Sequence, residues 1–274
     1  MNHNKISPVS VSRVNSDGRT EQSDLLAVEE PLEVRLGYGP VDRRASLSLA
    51  VTMRTPGHDE ELALGFLLSE GIIAGQHDLL RLRHCEDVPE EAQGNVIRAE
   101  LSPDFPFDPG RFLRNFYTSS SCGVCGKASL DAVSAACPVA DNRIQFAPDS
   151  AVVLGLESAL RGHQSVFSAT GGLHAAALFS ASGKLIFVRE DIGRHNALDK
   201  LIGAAMVQGL LPLANHFILL SGRIGFELVQ KAVMAGAGAL VAFGAPSSLA
   251  VSLAEKYQLT LIGFLRENRY NQYV

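Results

Sequence analysis

The sequence predicts an α/β fold with a largely parallel C-terminal sheet, joined to a smaller α+β unit at the N-terminal side. Three observations carry this. After residue 151, short apolar runs alternate with helix-length amphipathic stretches. Between residues 31 and 101, strand-like alternation dominates, with a single helix. Between them lies SPDFPFDPG (102–110), whose three prolines mark a junction. The chain of 274 residues is long enough to bury a substantial core, and 46% of it is hydrophobic against 19% charged.

In the N-terminal unit, EVRLGYG (33–39) and ASLSLAVTMRT (45–55) alternate as half-buried strands. Pro56-Gly57-His58-Asp59 is a turn, and Asp59 or a neighbour caps the helix EELALGFLLSEG (60–71), which ends at Gly71. RLRHC (81–85) and NVIRAEL (95–101) are two further strands around an acidic loop. In the C-terminal unit, LHAAALFS (173–180) and KLIFVRED (184–191) form a hairpin about Ala181-Ser182-Gly183. The helix ALDKLIGAAMVQG (197–209) follows, with Leu198, Leu201, Ile202 and Ala205 on one face. Then come strand HFILLSG, helix FELVQKAVMAG, strand ALVAFG, helix SLAVSLAEKY and strand LTLIGFL. The resulting division is a disordered tail (1–22), a small α+β domain (23–112), a mobile CxxC loop with a short helix (113–145), and an α/β ligand-binding domain (146–274).

Composition excludes several classes. The first twenty residues are polar and lack the apolar run of a secretory signal, and no apolar stretch reaches membrane-spanning length. A cytoplasmic protein with no membrane partner is expected. Net charge is −5 with Lys and Arg scattered, which argues against a nucleic-acid partner. Four cysteines (Cys85, Cys122, Cys125, Cys137) in so long a chain are not a disulfide framework.

The βα rhythm puts several polar loops at strand ends, where ligands of open α/β sheets bind. Ser221-Gly222-Arg223 runs from a strand into a helix; its exposed backbone N–H groups and its arginine suit phosphate, although an ordinary tight turn reads the same way. In GAPSS (244–248), Ser247 or Ser248 acts first as a helix cap. Phe264-Leu265-Arg266-Glu267-Asn268-Arg269 offers arginines to clamp a diphosphate and a phenyl ring to stack on a planar base. Two more such loops are Thr170-Gly171-Gly172-Leu173-His174 and the polar turn from Arg189 to Asn196, which holds His195. No loop matches a phosphate-binding fingerprint. Their accumulation points to one large anionic, ring-bearing ligand of nucleotide type.

Cys122 and Cys125 sit in TSSSCGVCGK (118–127), almost free of bulky residues. Structural zinc needs four ligands; here Cys137 is twelve residues on and no histidine is near in sequence. A thioredoxin-type dithiol should open a helix directly after a strand. A sulfur carrier fits better. A thiolate on a small-residue loop can visit a donor and then an acceptor, and Lys127 with a nearby helix start favours the thiolate. The alternatives are a zinc-stabilised nucleotide-binding module, and a cofactor chaperone without sulfur transfer.

Six motifs in this order and spacing, SSSCGVCGKASLD, TGGLHAAAL, EDIGRHNALDKLIG, SGRIGFELVQK, GAPSSLAV and LTLIGFLR, resemble the formate dehydrogenase accessory sulfurtransferases of the FdhD/NarQ family. The likeness runs from about Glu33 to Arg269. It implies a cytidine-deaminase-like three-layer α/β domain without that fold's zinc ligands, so no metal site is expected. It also implies a sulfurtransferase that takes persulfide sulfur from a cysteine desulfurase. The sulfur passes to the molybdenum or tungsten bis-molybdopterin guanine dinucleotide cofactor of a formate dehydrogenase, which guanosine diphosphate (GDP) would mimic. By position, Cys122 matches the persulfide cysteine, Cys125 its partner, and 264–269 the cofactor-binding segment, although Glu267 and Asn268 stand where some relatives carry Pro or Gly. Exposed apolar helices and a task with two partners lead to the expectation of a homodimer.

Overall fold

The computed structural model describes residues 5–110, 145–160, 162–163 and 165–274. Cys122, Cys125, Cys137 and the expected short helix after Lys127 lie outside the described residues.

The N-terminal segment, expected as a disordered tail, is instead a hairpin from residue 6. Strands β1 (Ile6–Asn15) and β2 (Gly18–Ala27) pair antiparallel from Ile6↔Ala27 to Asn15↔Gly18. Polar composition hid a two-residue turn, Ser16-Asp17, closed by Gly18 at φ +134°. Strands β3 (Glu30–Tyr38), β4 (Ala45–Arg54), β5 (Leu79–His84) and β6 (Val96–Leu101) form a second sheet in the order β4-β3-β6-β5. Only β3 and β6 are parallel. Period-2 alternation divides its faces. Leu32, Val34, Leu36, Ile97, Ala99 and Leu101 are buried, while Glu33, Arg35, Arg98 and Glu100 face outward.

Helix α1 (Asp59–Ser69) covers the inner face. Asp59 does not cap it: His58 holds the cap position in a left-handed conformation without a side-chain bond. The Asp59 carboxylate is taken instead by the Arg54 guanidinium, whose Nε and Nη2 donate at 3.1 and 3.0 Å.

Helices α2 (Ser150–Leu160) and α3 (Ser165–Thr170) precede the large sheet. Its strands are β7 (His174–Ser180), β8 (Leu185–Asp191), β9 (His216–Leu220), β10 (Ala239–Ala242), β11 (Thr260–Arg266) and β12 (Arg269–Gln272). Their order is β12-β11-β10-β9-β7-β8. As expected, β9, β10 and β11 are parallel; β7, β8 and β12 run antiparallel to their neighbours. One face packs Ala177, Phe179, Phe217, Leu219 and Val241 against Val153, Leu156 and Leu160 of α2. The other packs Ala176, Leu178, Ile218, Leu220 and Leu240 against α4 (Arg194–Val207), α5 (Phe226–Met234) and α6 (Ser248–Lys256). Burial on both faces is why these strands read as near-continuous apolar runs.

The two sheets share this second core, because α1 packs directly on α4. The contact depends on a reciprocal pair of glycines. A Cβ on Gly65 would lie 1.9 Å from the Asp199 carbonyl oxygen, and one on Gly203 would lie 1.8 Å from that of Glu61. Neither position has room for a side chain while the backbones stay this close.

Candidate functional site

Strand direction decides where the polar loops fall. The carboxyl ends of parallel β9, β10 and β11 lie at one end of the sheet. Register puts the start of β7 and the end of β8 there too, with His174 opposite Asp191 and Ala176 opposite Leu220. Thr170, His174, His195, Ser221, Gly222, Arg223 and the segment from Phe264 to Arg269 therefore come to one end of one sheet. From β8 to β11 this end is roughly 19 Å wide at the usual inter-strand spacing.

Backbone hydrogen bonds stitch these loops to one another. Gly244 N–H donates to the Gly222 carbonyl at 3.1 Å, Ser247 N–H to Ile224 at 2.9 Å, and Phe264 N–H to Gly244 at 3.1 Å. A Cβ on Gly244 would lie 2.7 Å from the Gly222 carbonyl oxygen, so glycine is needed for the loops to meet. Ser221 Oγ accepts from Ala175 N–H at 2.9 Å, and Thr170 Oγ1 donates to the Val166 carbonyl at 2.9 Å. Both hydroxyls thus brace the loops that carry them. Ser247 caps α6, its Oγ accepting from Ala250 N–H at 3.2 Å.

Within 264–269 the residues divide by alternation and by the turn. Leu265 is fully buried in the core beneath α2, so its side chain cannot meet a ligand at this edge. Glu267 and Asn268 form the tight turn from β11 into β12, and Arg269 opens β12 exposed. Arg266 Nη1 donates to the Phe243 carbonyl at 2.9 Å. Phe264 has φ +55° and remains 41% exposed. A left-handed conformation is a true outlier for a bulky residue. Such strain persists where the surrounding structure over-determines it, and it clusters at functional sites.

Beside this edge opens a cavity of about 570 Å³ that the sequence did not disclose. His174 lines it from the start of β7, His195 from the first turn of α4, Glu227 and Lys231 from α5, and Met53 and Phe66 from the small unit. His195 Nε2 lies 2.7 Å from Glu227 Oε2. The hydrogen bond from His195 holds the Glu227 carboxyl below its ordinary range against the opposing effect of burial. His174 is shifted downward, first by burial and then by the charges of Arg194 and His195, which favours a neutral imidazole. Lys231 forms a buried pair with Asp199 at 2.8 Å. Glu227 was missed because an acid in the first turn of a helix reads as a dipole partner.

The polar crowd from Arg189 to Asn196 is mostly spent on the fold. Asp191 is fully buried, 2.7 Å from Lys200 Nζ, and accepts from the backbone N–H groups of Thr55 and Gly193. Arg189 Nη2 donates to Glu61 Oε1 at 2.7 Å. Burial alone would raise the Glu61 carboxyl, but the hydrogen bonds from Arg189 and His58 outweigh it and hold it at about 2. Among the described residues, no three His, Cys, Asp or Glu side chains gather as a metal site, and no helix is long and apolar enough to cross a membrane.

These features define an α/β protein whose polar loops gather at the strand ends of its large sheet. Comparison with known proteins makes the assignment specific. The profile of the FdhD/NarQ family matches residues 27–274, and the chain belongs to that family. It is 48% identical over 268 residues to a protein of Streptomyces coelicolor named sulfur carrier protein FdhD, covering 96% of this chain and 92% of the relative. A protein of the same name from Saccharolobus solfataricus is 40% identical, covering 95% and 93%. The fold is that of a crystal structure described as a formate dehydrogenase accessory protein from Desulfotalea psychrophila. That match has a TM-score of 0.72 at 21% identity and covers 98% of this chain and 97% of the other.

Proposed function

We propose that the chain is a sulfur carrier for a formate dehydrogenase, moving persulfide sulfur from a cysteine desulfurase to a bis-molybdopterin guanine dinucleotide cofactor held at the strand-end edge. Sulfur-carrier relatives that match nearly end to end support the class of reaction. The single observation that carries the binding site is the exposed, left-handed Phe264 at the centre of the stitched loops. Guanine stacks on its ring, while Arg266, Arg269 and Arg223 face the diphosphate with Gly222 letting backbone approach. The width of the edge suits a dinucleotide. His174 and His195 stand at the adjoining cavity, where the pterin end reaches. Glu267 and Asn268 shape the turn that presents both arginines.

The chemistry balances with two cysteines. The Cys122 thiolate attacks the outer sulfur of the donor's persulfide, forms a Cys122 persulfide, and releases the donor's thiolate. The Cys125 thiolate then attacks the inner sulfur. That forms a Cys122–Cys125 disulfide and releases hydrosulfide to the metal, so the cysteines supply both electrons. A cellular thiol reductant restores the pair. In this reading the protein is a cytoplasmic transferase with a deaminase-like large layer, and it works as a homodimer.

Calorimetry with GDP tests the site. The wild type binds, and Phe264→Ala weakens binding by about tenfold or more, since base–aromatic stacking contributes about 1–3 kcal/mol. Unchanged affinity in Phe264→Ala and Arg266→Ala would remove this edge as the guanine site.

A further inference from the structure

The outer face of the small sheet has a feature that sulfur transfer to a cofactor does not use. Register sets Arg35 opposite Arg98, and Arg98 opposite Arg83, in one row across β3, β6 and β5. Like charges directly opposite one another cost stability. Two of the three are answered within the fold: Arg35 pairs with Glu33 at 2.7 Å and Arg98 with Glu100 at 2.6 Å. Arg83 is exposed, as is Arg81 two residues before it, and no carboxylate pairs with either among the described residues. Both line a cavity of about 280 Å³ with Arg35, Arg98, His84 and Cys85; Glu86, Asp87 and Glu100 line it too, and none of these carboxylates pairs with Arg81 or Arg83. Between Lys5 and Lys127 every cation is arginine. Arginine's planar fork matches carboxylates two bonds at a time, which lysine cannot do.

The row ends at an edge. β5 is the last strand of its sheet, so one side of its backbone has no strand partner among the described residues, and Leu80 on it is 63% exposed. Charged side chains on an edge strand ordinarily ward off pairing. Here they also select what pairs. Arg81 and Arg83 are about 7 Å apart along the strand, the spacing of alternate side chains in an extended peptide. An acidic strand laid beside β5 would satisfy the free backbone and present a carboxylate to each arginine. We infer that this edge docks an extended acidic segment of the sulfur-donating enzyme, an inference that rests on the carrier function proposed above.

One observation favours the donor over the cofactor's enzyme as occupant. The face lies on the far side of the small sheet from the core it shares with the large sheet, so it stays open while the strand-end edge holds its cargo.

The test is the initial rate of sulfur loading onto the full chain at increasing desulfurase concentration. We compare wild type, Arg81→Glu/Arg83→Glu, and Arg13→Glu/Arg19→Glu, which makes the same charge change on the exposed β1–β2 hairpin. The β5 variant should raise the half-saturating desulfurase concentration at least about tenfold with the maximal rate unchanged; the hairpin variant should match wild type. Both substitutions are on exposed surfaces, and GDP affinity equal to wild type confirms folding. Wild-type half-saturation in the β5 variant, or an equal rise in both variants, would overturn the docking site while leaving the carrier function standing. A wild-type chain that takes no sulfur from the desulfurase would remove both.

Discussion

The junction between the two sheets and the strand-end edge of the large sheet are built from the same residue types and use them in opposite ways. At the junction and in the small unit behind it, side chains are consumed. Arg54, fully buried, donates to Asp59, Glu30, Asn95 and the Gly94 carbonyl, and Lys200 is divided between Asp191 and the Thr55 carbonyl. At the edge, backbone groups are consumed and side chains are left over. Gly222, Gly244, Ile224 and Phe264 tie the loops together through main chain, which leaves Phe264, Arg223 and Arg269 exposed. A charged residue in a strand-end loop thus says little alone. What matters is whether the rest of the fold has already satisfied it.

The comparison breaks most visibly at the junction. Arg54→Ala leaves Asp59 and Glu30 without their buried partner, and should cost about 3–5 kcal/mol in denaturant unfolding. Loss of less than about 1 kcal/mol would mean that this buried network does not brace the small unit. Next in size is an acid-dependent effect at Glu61. Its carboxyl titrates at 4.5 when unfolded and about 2 when folded. A depressed pKa contributes stability that is fully present above pH 4.5 and is lost as pH falls toward 2. Arg189→Met should flatten that part of the stability–pH curve, and an unchanged slope would contradict the assignment. The smallest effect has the opposite sign. Phe264→Gly removes a left-handed bulky residue, so it should stabilise by about 0.5–1 kcal/mol while weakening GDP binding.

Much of this was legible in sequence where one physical pattern acted alone. The parallel strands and their helices could be read because both-face burial gives apolar runs of strand length separated by helical spacing. Where signals competed, reading failed. The β1–β2 hairpin was masked by polar residues on an exposed two-stranded ribbon. Helix α2 received no assignment, although Val153, Leu156 and Leu160 recur at helical spacing, because Val152, Val153 and Gly155 are poor helix formers. LTLIGFL was read as the last strand, but a two-residue turn follows β11 at once and Arg269 begins a further strand, β12. The strand-end rule anticipated which loops gather at one edge, but that Leu265 points into the core shows only in the alternation that buries it. The cavity beside His195 was invisible because nearly half its lining comes from the small unit, between Glu29 and Glu70, more than a hundred residues away in sequence.

The central claim is that Cys122 carries sulfur, and intact mass after incubation with a cysteine desulfurase and cysteine tests it most directly. Wild type should gain the mass of sulfur, lose it again on reduction, and retain the gain on Cys122 when digested. Cys122→Ala should gain none and fail to support formate dehydrogenase activity. Loading of Cys122→Ala equal to wild type, with formate dehydrogenase activity intact, would contradict the account.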